Sequence, residues 1–465
     1  MEQRVTHLNR NPVNNRGRCV IYWMEAAQRA KDNLALIYAI EQANLLLKPL
    51  ICYFGVDESL PTSSARLFSF MLSGIEETAA ALEAKGIPFV SRLESPADGI
   101  QRLEMEIDPC LVVVDEASIH YGRQIRRKAA SRFSVPLIEV DSEPVIPLRA
   151  WPGEMKNAAA MRTRATSLWR QHLQESPLAK LKMSGRRLRV PRRIELNDTE
   201  AMDLVTSLKL RADVAPSPIL KGGIKAAEKQ LKAFINKRLP AYANDCEQPG
   251  VEGTSGLSPY LRFGQIWAGR IALEVKKAKG SAAAKKAFLE KLLLERELAM
   301  NFCLHNPEHH SPAVMADWAR QTLDAHRKDP RPFIYSREEL ETASTHDSLW
   351  NAAQQELLVI GRIHPALRSL WAKKILEWSA SPEEAWETAV YLNDKYALDG
   401  CDASGYFNIA RCLGGVSEKP RKERPVFGRL PYLASDRLMK KIDFRSYMAR
   451  IQRARRLAGL PENSS

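Results

Sequence analysis

A chain of 465 residues is two to three times an ordinary domain, and its 45% hydrophobic, 27% charged composition excludes a disordered or collagen-like polymer. The 69 Lys+Arg against 55 Asp+Glu leave a net charge of +14, which attracts polyanions by long-range steering but does not by itself establish nucleic-acid binding. Seven scattered cysteines without a CxxC pair argue against a disulfide framework and a zinc site, so no metal is expected; with no 18-residue apolar run and no signal-peptide core, the sequence predicts reduced thiols, no membrane partner and a cytoplasmic protein.

From residue 18 to about 150 short apolar runs alternate with amphipathic segments, the pattern of an α/β unit with a parallel sheet. CVIYWM (19–24), PLICYFGV (49–56), PFVSRL (88–93), CLVVVDE (110–116) and PLIEVD (136–141) read as buried strands. DNLALIYAIEQANLLL and SFMLSGIEETAAALEAKG between them read as helices, the second ending on Gly86. The unit is Rossmann-like, but no GxGxxG marks a dinucleotide. Residues 151–215 read as a linker, whose run SGRRLRVPRR (184–193) is either a solvated connection or a DNA-facing patch. From 216 to 460 the periodicity is helical almost throughout, which predicts an all-α second domain, clearest in AAAKKAFLEKLLLERELAMNF, DSLWNAAQQELLVIGRI, ALRSLWAKKILEW and PEEAWETAVYLNDKY. A monomer is expected.

Three stretches of the helical half concentrate chemistry. In VEGTSGLSPYLRFG, small residues before a helix start leave N–H groups and hydroxyls free to cradle a phosphate, although a turn followed by a helix cap has the same composition. LNDKYALDGCDASGY gathers Asn393, Asp399 and Asp402 around a glycine, as either a cofactor contact or an Asx-rich turn. Trp371 and Trp378 lie two turns apart on one helical face with Trp350 on the preceding helix, as either core or an electron-hopping chain.

VEGTSGLSPYLRFG resembles the flavin-binding signature of photolyases and cryptochromes. THDSLWNAAQQELLVIGRIH, LWAKKILEWSASPEEA, YLNDKYALDG and ERPVFG are similar to the class II cyclobutane pyrimidine dimer photolyases, and the resemblance extends over nearly the whole chain. It implies an N-terminal antenna domain that takes a folate or deazaflavin pigment, a linker, and a helical domain that holds FAD. Tyr242, Thr254, Ser255, Gly256, Leu257 and Ser258 would hold the FAD phosphates and ribityl chain. Arg368 and Asp399 would pair beside the isoalloxazine, Asn393 would face its N5, and Asp402 belongs to the same loop. Trp371, Trp350 and Trp378 match a tryptophan triad that carries electrons from the surface to the flavin, with Tyr335 further along it.

The lesion-binding half departs from that pattern. Relatives read FLEELIVWRELADNF where this chain reads FLEKLLLERELAMNF, which gives Lys291 and Glu295; NIAR puts Arg411 where a tryptophan stacks on the lesion. Cys246, Cys401 and Ser369 replace two arginines and a methionine of the family, and HPALR puts Pro365 and Ala366 in place of GY. The expectation is a blue-light-reducible FAD protein without ordinary dimer repair, whose DNA binding is weak and indifferent to lesions. A class II photolyase with an altered lesion site and flavin chemistry on a small molecule are the alternatives. Glu295 is further expected to form a salt bridge with Arg411 or with Lys291, partly closing the pocket.

Overall fold

All five apolar runs are strands, and their continuous hydrophobicity is explained by burial on both faces. In the computed structural model, which describes residues 1–58, 63–190, 205–206, 208, 210 and 213–461, β2 (Val20–Trp23), β3 (Leu50–Val56), β4 (Phe89–Leu93), β5 (Leu111–Asp115) and β6 (Leu137–Val140) are parallel. A sixth strand, β1 (Val5–His7), lies before the expected start of the domain and pairs antiparallel with β6 at the sheet edge. The spatial order is β1-β6-β5-β2-β3-β4. Asn33 caps α1 (Leu34–Leu46) and Ser64 caps α2 (Ala65–Ala84), while Gly86, at φ +78°, reverses the chain after α2. Two further helices, α3 (Pro96–Ile107) and α4 (His120–Ala130), complete the covering layers.

The segment read as a linker contains α5 (Ala158–His172), whose Met161 and Ala165 enter the core of the helical domain. The arginine-rich run turns back onto the first domain: Gly185 N donates to Gly86 O at 2.9 Å, Arg186 to Glu83 O at 3.0 Å, and Leu188 and Val190 pack on the sheet core. Arg192 and Arg193 lie outside the described residues.

The second half is helical, as its periodicity predicts. The long pattern beginning at Ala282 is a composite: Ala282–Leu289 is α-helical, Glu290–Glu295 widens into a π turn, and Arg296–His305 resumes the α-helix. Buried polar contacts join the two domains. Arg29 pairs with Glu143 and donates to Gly264 O at 2.8 Å, and Arg270 grips Asp32 with two bonds of 2.9 Å. Glu297 accepts from Val145 N and Ile146 N; burial pushes its carboxyl up to about 7. Arg123 of α4 donates to Cys303 O at 2.9 Å and Leu304 O at 3.0 Å, capping the end of the helix Arg296–His305. Beside it His120 stacks on His310 at 3.8 Å with His309 edge-on, and burial holds His120 and His309 down at about 4, so these rings pack as neutral imidazoles. No helix among the described residues is long and apolar enough to cross a membrane.

Candidate functional site

The small-residue turn is held by two helices. Gln230, on the helix Ile224–Ala233, donates to Ser255 O at 2.7 Å, and Ser255 Oγ accepts from Leu257 N at 3.3 Å just before the short helix Ser258–Arg262. Gly256 takes φ +67°, and a Cβ there would sit 2.4 Å from the Gln230 amide and 3.1 Å from the Arg362 guanidinium. Arg238 donates to Gln230 O at 3.4 Å; burial depresses its pKa, with Glu252 raising it and the Arg362 charge lowering it. Thr254 and Ser255 are half-buried and Ser258 is exposed. Tyr242 is buried, its ring edge-on to Phe234 and Phe288. Gln230, Arg238 and Arg362 were missed by the motif reading, because single polar residues far from the turn in sequence carry no spacing signal.

The polar loop splits into two roles. Arg368, on the helix Pro365–Trp378, pairs with Asp399 as the motifs imply, and both side chains are largely buried. Asn393 is buried near the end of the helix Pro382–Tyr396, and its Nδ2 donates to Asp394 Oδ1 at 2.8 Å. Asp394 also accepts from Tyr406 Oη at 2.8 Å and Cys401 N at 3.0 Å, so this unanticipated carboxylate orients the asparagine. Asp402 instead caps the helix Ala403–Gly414 by accepting from Ser404 N at 3.1 Å.

The three tryptophans are all buried and in contact. Trp371 Nε1 donates to Gln354 Oε1 at 2.8 Å, and Trp350 Nε1, on the helix Ser348–Ile360, donates to the Trp371 carbonyl at 3.0 Å. Trp350 and Trp378 meet edge to face at 5.6 Å, and Trp378 meets Tyr335 at 5.5 Å. Tyr335 Oη lies 2.7 Å from Nδ1 of the exposed His346 and accepts from its backbone N–H at 3.0 Å. Lys374 sits 5.4 Å from the Trp378 ring centroid. Amide and carbonyl oxygens receive the protons of the two inner indoles, whereas the outermost phenol meets a base.

The substituted positions correct one expectation. Glu295 has no ion pair with Arg411 or Lys291: Arg411 binds Glu418 at 3.0 Å and Lys291 binds Glu247 at 2.7 Å. Each cation is taken up by another carboxylate, and the stretch Glu290–Glu295 that carries Lys291 and Glu295 is a π turn rather than the α-helix the spacing assumed. Lys291 lies near buried Cys246, whose thiol is raised by burial and partly lowered by that cation. Ser369 is half-buried on the same helix as Arg368.

A cavity of about 250 Å³ opens at the carboxyl ends of β2, β3 and β5, where Met24, Phe54 and Ser118 face Arg262, Met300 and Asp402 of the helical domain. The DNA photolyase family signature matches residues 20–184. Over 459 residues the chain is 33% identical to the deoxyribodipyrimidine photo-lyase of Methanothermobacter thermautotrophicus, covering 97% of this chain and 98% of that one. The chain belongs to the DNA photolyase family. Its fold is similar to a class III photolyase of Agrobacterium tumefaciens (TM-score 0.72, 18% identity, 96% and 93% of the two chains). It is likewise similar to a Sulfolobus tokodaii photolyase described with two FAD molecules and an implied light-harvesting cofactor (TM-score 0.64, 15% identity, 91% and 87%). The α/β sheet followed by a helical domain is this family's architecture, and photolyases and cryptochromes bind FAD.

Proposed function

We propose that this photolyase-family chain binds FAD in its helical domain, reduces it under blue light through Trp371, Trp350 and Trp378, and does not perform ordinary dimer repair. The observation that carries the reading is the ring contact of Trp350 with Trp378 and of Trp378 with Tyr335 out to His346, joined to Trp371 by the hydrogen bond of the Trp350 indole to the Trp371 carbonyl.

The residues present suit FAD. Arg362 beside the Ser255–Gly256 turn and Arg238 bonded to Gln230 provide the charge a diphosphate requires, at a place where any Cβ would intrude. Tyr242, Thr254, Ser255, Leu257 and Ser258 complete that wall, while Arg368, Asp399 and Asn393 serve the ring system. Bound FAD supplies a photoexcitable electron acceptor. Trp371 gives up an electron and is refilled from Trp350, which is refilled from Trp378. The inner indoles retain their protons because Gln354 Oε1 and the Trp371 carbonyl are too weakly basic to take them, so the electron hole continues outward. Trp378 is refilled from Tyr335, whose proton passes to His346 as its electron leaves. The cavity at the strand ends is assigned to a light-harvesting pigment, a folate or a deazaflavin.

Loss of repair rests on Glu295 and Arg411 in place of the tryptophans of the lesion pocket and on Lys291 in place of the glutamate that assists dimer splitting. Class II dimer photolyase activity is the second reading, favoured by the near-complete coverage of the Methanothermobacter relative and by the failure of Glu295 and Arg411 to close the pocket. Illumination of the FAD-loaded chain with an external reductant, followed by addition of a thymine-dimer oligonucleotide, tests both. Flavin bleaching with the dimer left intact is expected; restored thymines overturn the loss of repair, and absent bleaching overturns the electron chain.

A further inference from the structure

One cluster of metal-type ligands lies outside the flavin site and bridges the two domains. His120 opens α4, and His309 and His310 follow the helix Arg296–His305; one ring nitrogen of each lies within 4.8 Å of those of the other two. His309 is fully buried. Its Nδ1 lies 2.8 Å from Asn306 O, which makes that nitrogen the donor and leaves Nε2 as the lone-pair face, engaged only by the His120 backbone N–H at 3.4 Å. His120 Nδ1 and His310 Nδ1 are buried without a hydrogen-bond partner among the described residues. Apolar side chains would pack this junction without orphaned nitrogens, so an imidazole drawn from each side of the interface calls for a ligand.

We propose that His120, His309 and His310 form a zinc site that clasps the α/β domain to the helical domain. An all-imidazole set without a thiolate suits a borderline divalent ion, and three histidines leave a fourth tetrahedral position for water or for Glu308, whose carboxylate is 3.9 Å from His310 Nε2. The nearby cation, Arg123, is committed to the Cys303 and Leu304 carbonyls and capped helix rather than to the cluster. Zinc–nitrogen bonds of 2.0–2.1 Å require nitrogens about 3.3 Å apart in a tetrahedron, so the site tightens on binding. It also opens the stack of His120 on His310, because nearly parallel rings direct their lone pairs along separate planes. His310 is the ring that turns: its side chain is 34% exposed, whereas Asn306 holds His309. The cysteine pattern argued against zinc in the sequence; these three histidines, 189 residues apart at the His120–His309 contact, carry no spacing signal.

The test uses the full chain, stripped with a chelator and titrated with zinc chloride, with bound metal measured by atomic emission and a thermal midpoint recorded with and without zinc. One zinc per chain and a raised midpoint are expected, as are the visible bands of a tetrahedral site when cobalt(II) replaces zinc. His310→Ala and His120→Ala should each weaken zinc binding by at least about tenfold. His309→Ala removes a fully buried ring and can fail to fold, so the half-exposed His310 decides the question. No zinc retained by the wild-type chain, undiminished binding in both single variants, or a midpoint indifferent to zinc overturns the proposal.

Discussion

Replacing Trp350 with phenylalanine separates an electron-transfer role from a packing role. Trp350 is fully buried, donates to the Trp371 carbonyl at 3.0 Å and meets Trp378 at 5.6 Å. Phenylalanine keeps most of the ring volume but removes the hydrogen bond and leaves a small void, at a cost of about 1–3 kcal/mol in stability. Electronically the change is far larger. Trp371 and Trp378 are seven residues apart on one helix, about 10 Å along its axis, so the variant must cross in one step a gap now divided in two. Tunnelling falls exponentially with distance, and photoreduction of the bound flavin should fall far below the wild-type rate under the same lamp. The assay is bleaching of bound flavin under blue light with an external reductant, alongside a denaturant melt. Trp386→Phe is the control, since Trp386 is equally buried in the same core but donates to the His310 carbonyl instead of joining the run. If Trp350→Phe photoreduces at the wild-type rate, or both variants lose photoreduction equally, these tryptophans are packing residues and the electron chain is refuted.

Gly256→Ala should weaken FAD uptake in a fluorescence titration while the chain still folds, because a left-handed alanine costs roughly 1–2 kcal/mol and its methyl displaces Gln230 from Ser255. His346→Phe should slow Tyr335 oxidation and abolish its solvent isotope effect in transient absorption, since the phenol loses its proton acceptor; unchanged kinetics in H₂O and D₂O would remove His346 from the path. Glu297 stays protonated up to about 7 when folded but ionises near 4.5 when unfolded, so the native state binds more protons between those values and stability declines as pH rises through them. Glu297→Gln removes that decline, so denaturant melts at pH 5 and pH 8 should show the variant gaining on the order of 3 kcal/mol on wild type between the two.

The parallel strands were legible because each is an uninterrupted apolar run, whereas β1 is three residues long with His7 exposed and gives no such run. Helix positions were likewise legible in the 3.6-residue period, but the π turn Glu290–Glu295 was not, since a local i→i+5 shift leaves the apolar pattern intact. The pair drawn from helical spacing, Lys291 with Glu295, does not form, because Glu247 from a separate segment takes up Lys291. Among residues named from contiguous motifs, the structure pairs Asp399 with Arg368 and brings the three tryptophans together. Gln230 and Arg362 were not so named, because the fold alone brings them to Gly256, and Asp394, though next to Asn393, shows its role only in the bonds it accepts from Tyr406 and Cys401. His346 was passed over as part of a motif: it lies eleven residues from Tyr335, and only the fold closes that distance to 2.7 Å.

If Arg411 stands in the lesion pocket as proposed, it decides what that pocket does with DNA. Its side chain is 42% exposed and its partner Glu418 is 23% exposed, so their 3.0 Å ion pair is worth only about 0–1 kcal/mol and yields readily to a phosphate. A tryptophan at this position would stack on an extruded base for about 1–3 kcal/mol and so distinguish a dimer from intact duplex. A guanidinium that trades Glu418 for a phosphate gains the same contact on either DNA. Arg411→Ala should therefore weaken damaged and undamaged duplex equally and reduce the slope of log K against log salt by about 0.9, the loss of one phosphate contact. Arg411→Trp should instead raise affinity for the dimer alone, in a manner that persists as salt increases. Equilibrium binding of matched duplexes across a salt series reads both. If Arg411→Ala selectively weakens the dimer-containing duplex, the arginine reads the lesion, and the pocket is an altered photolyase site in place of a discarded one.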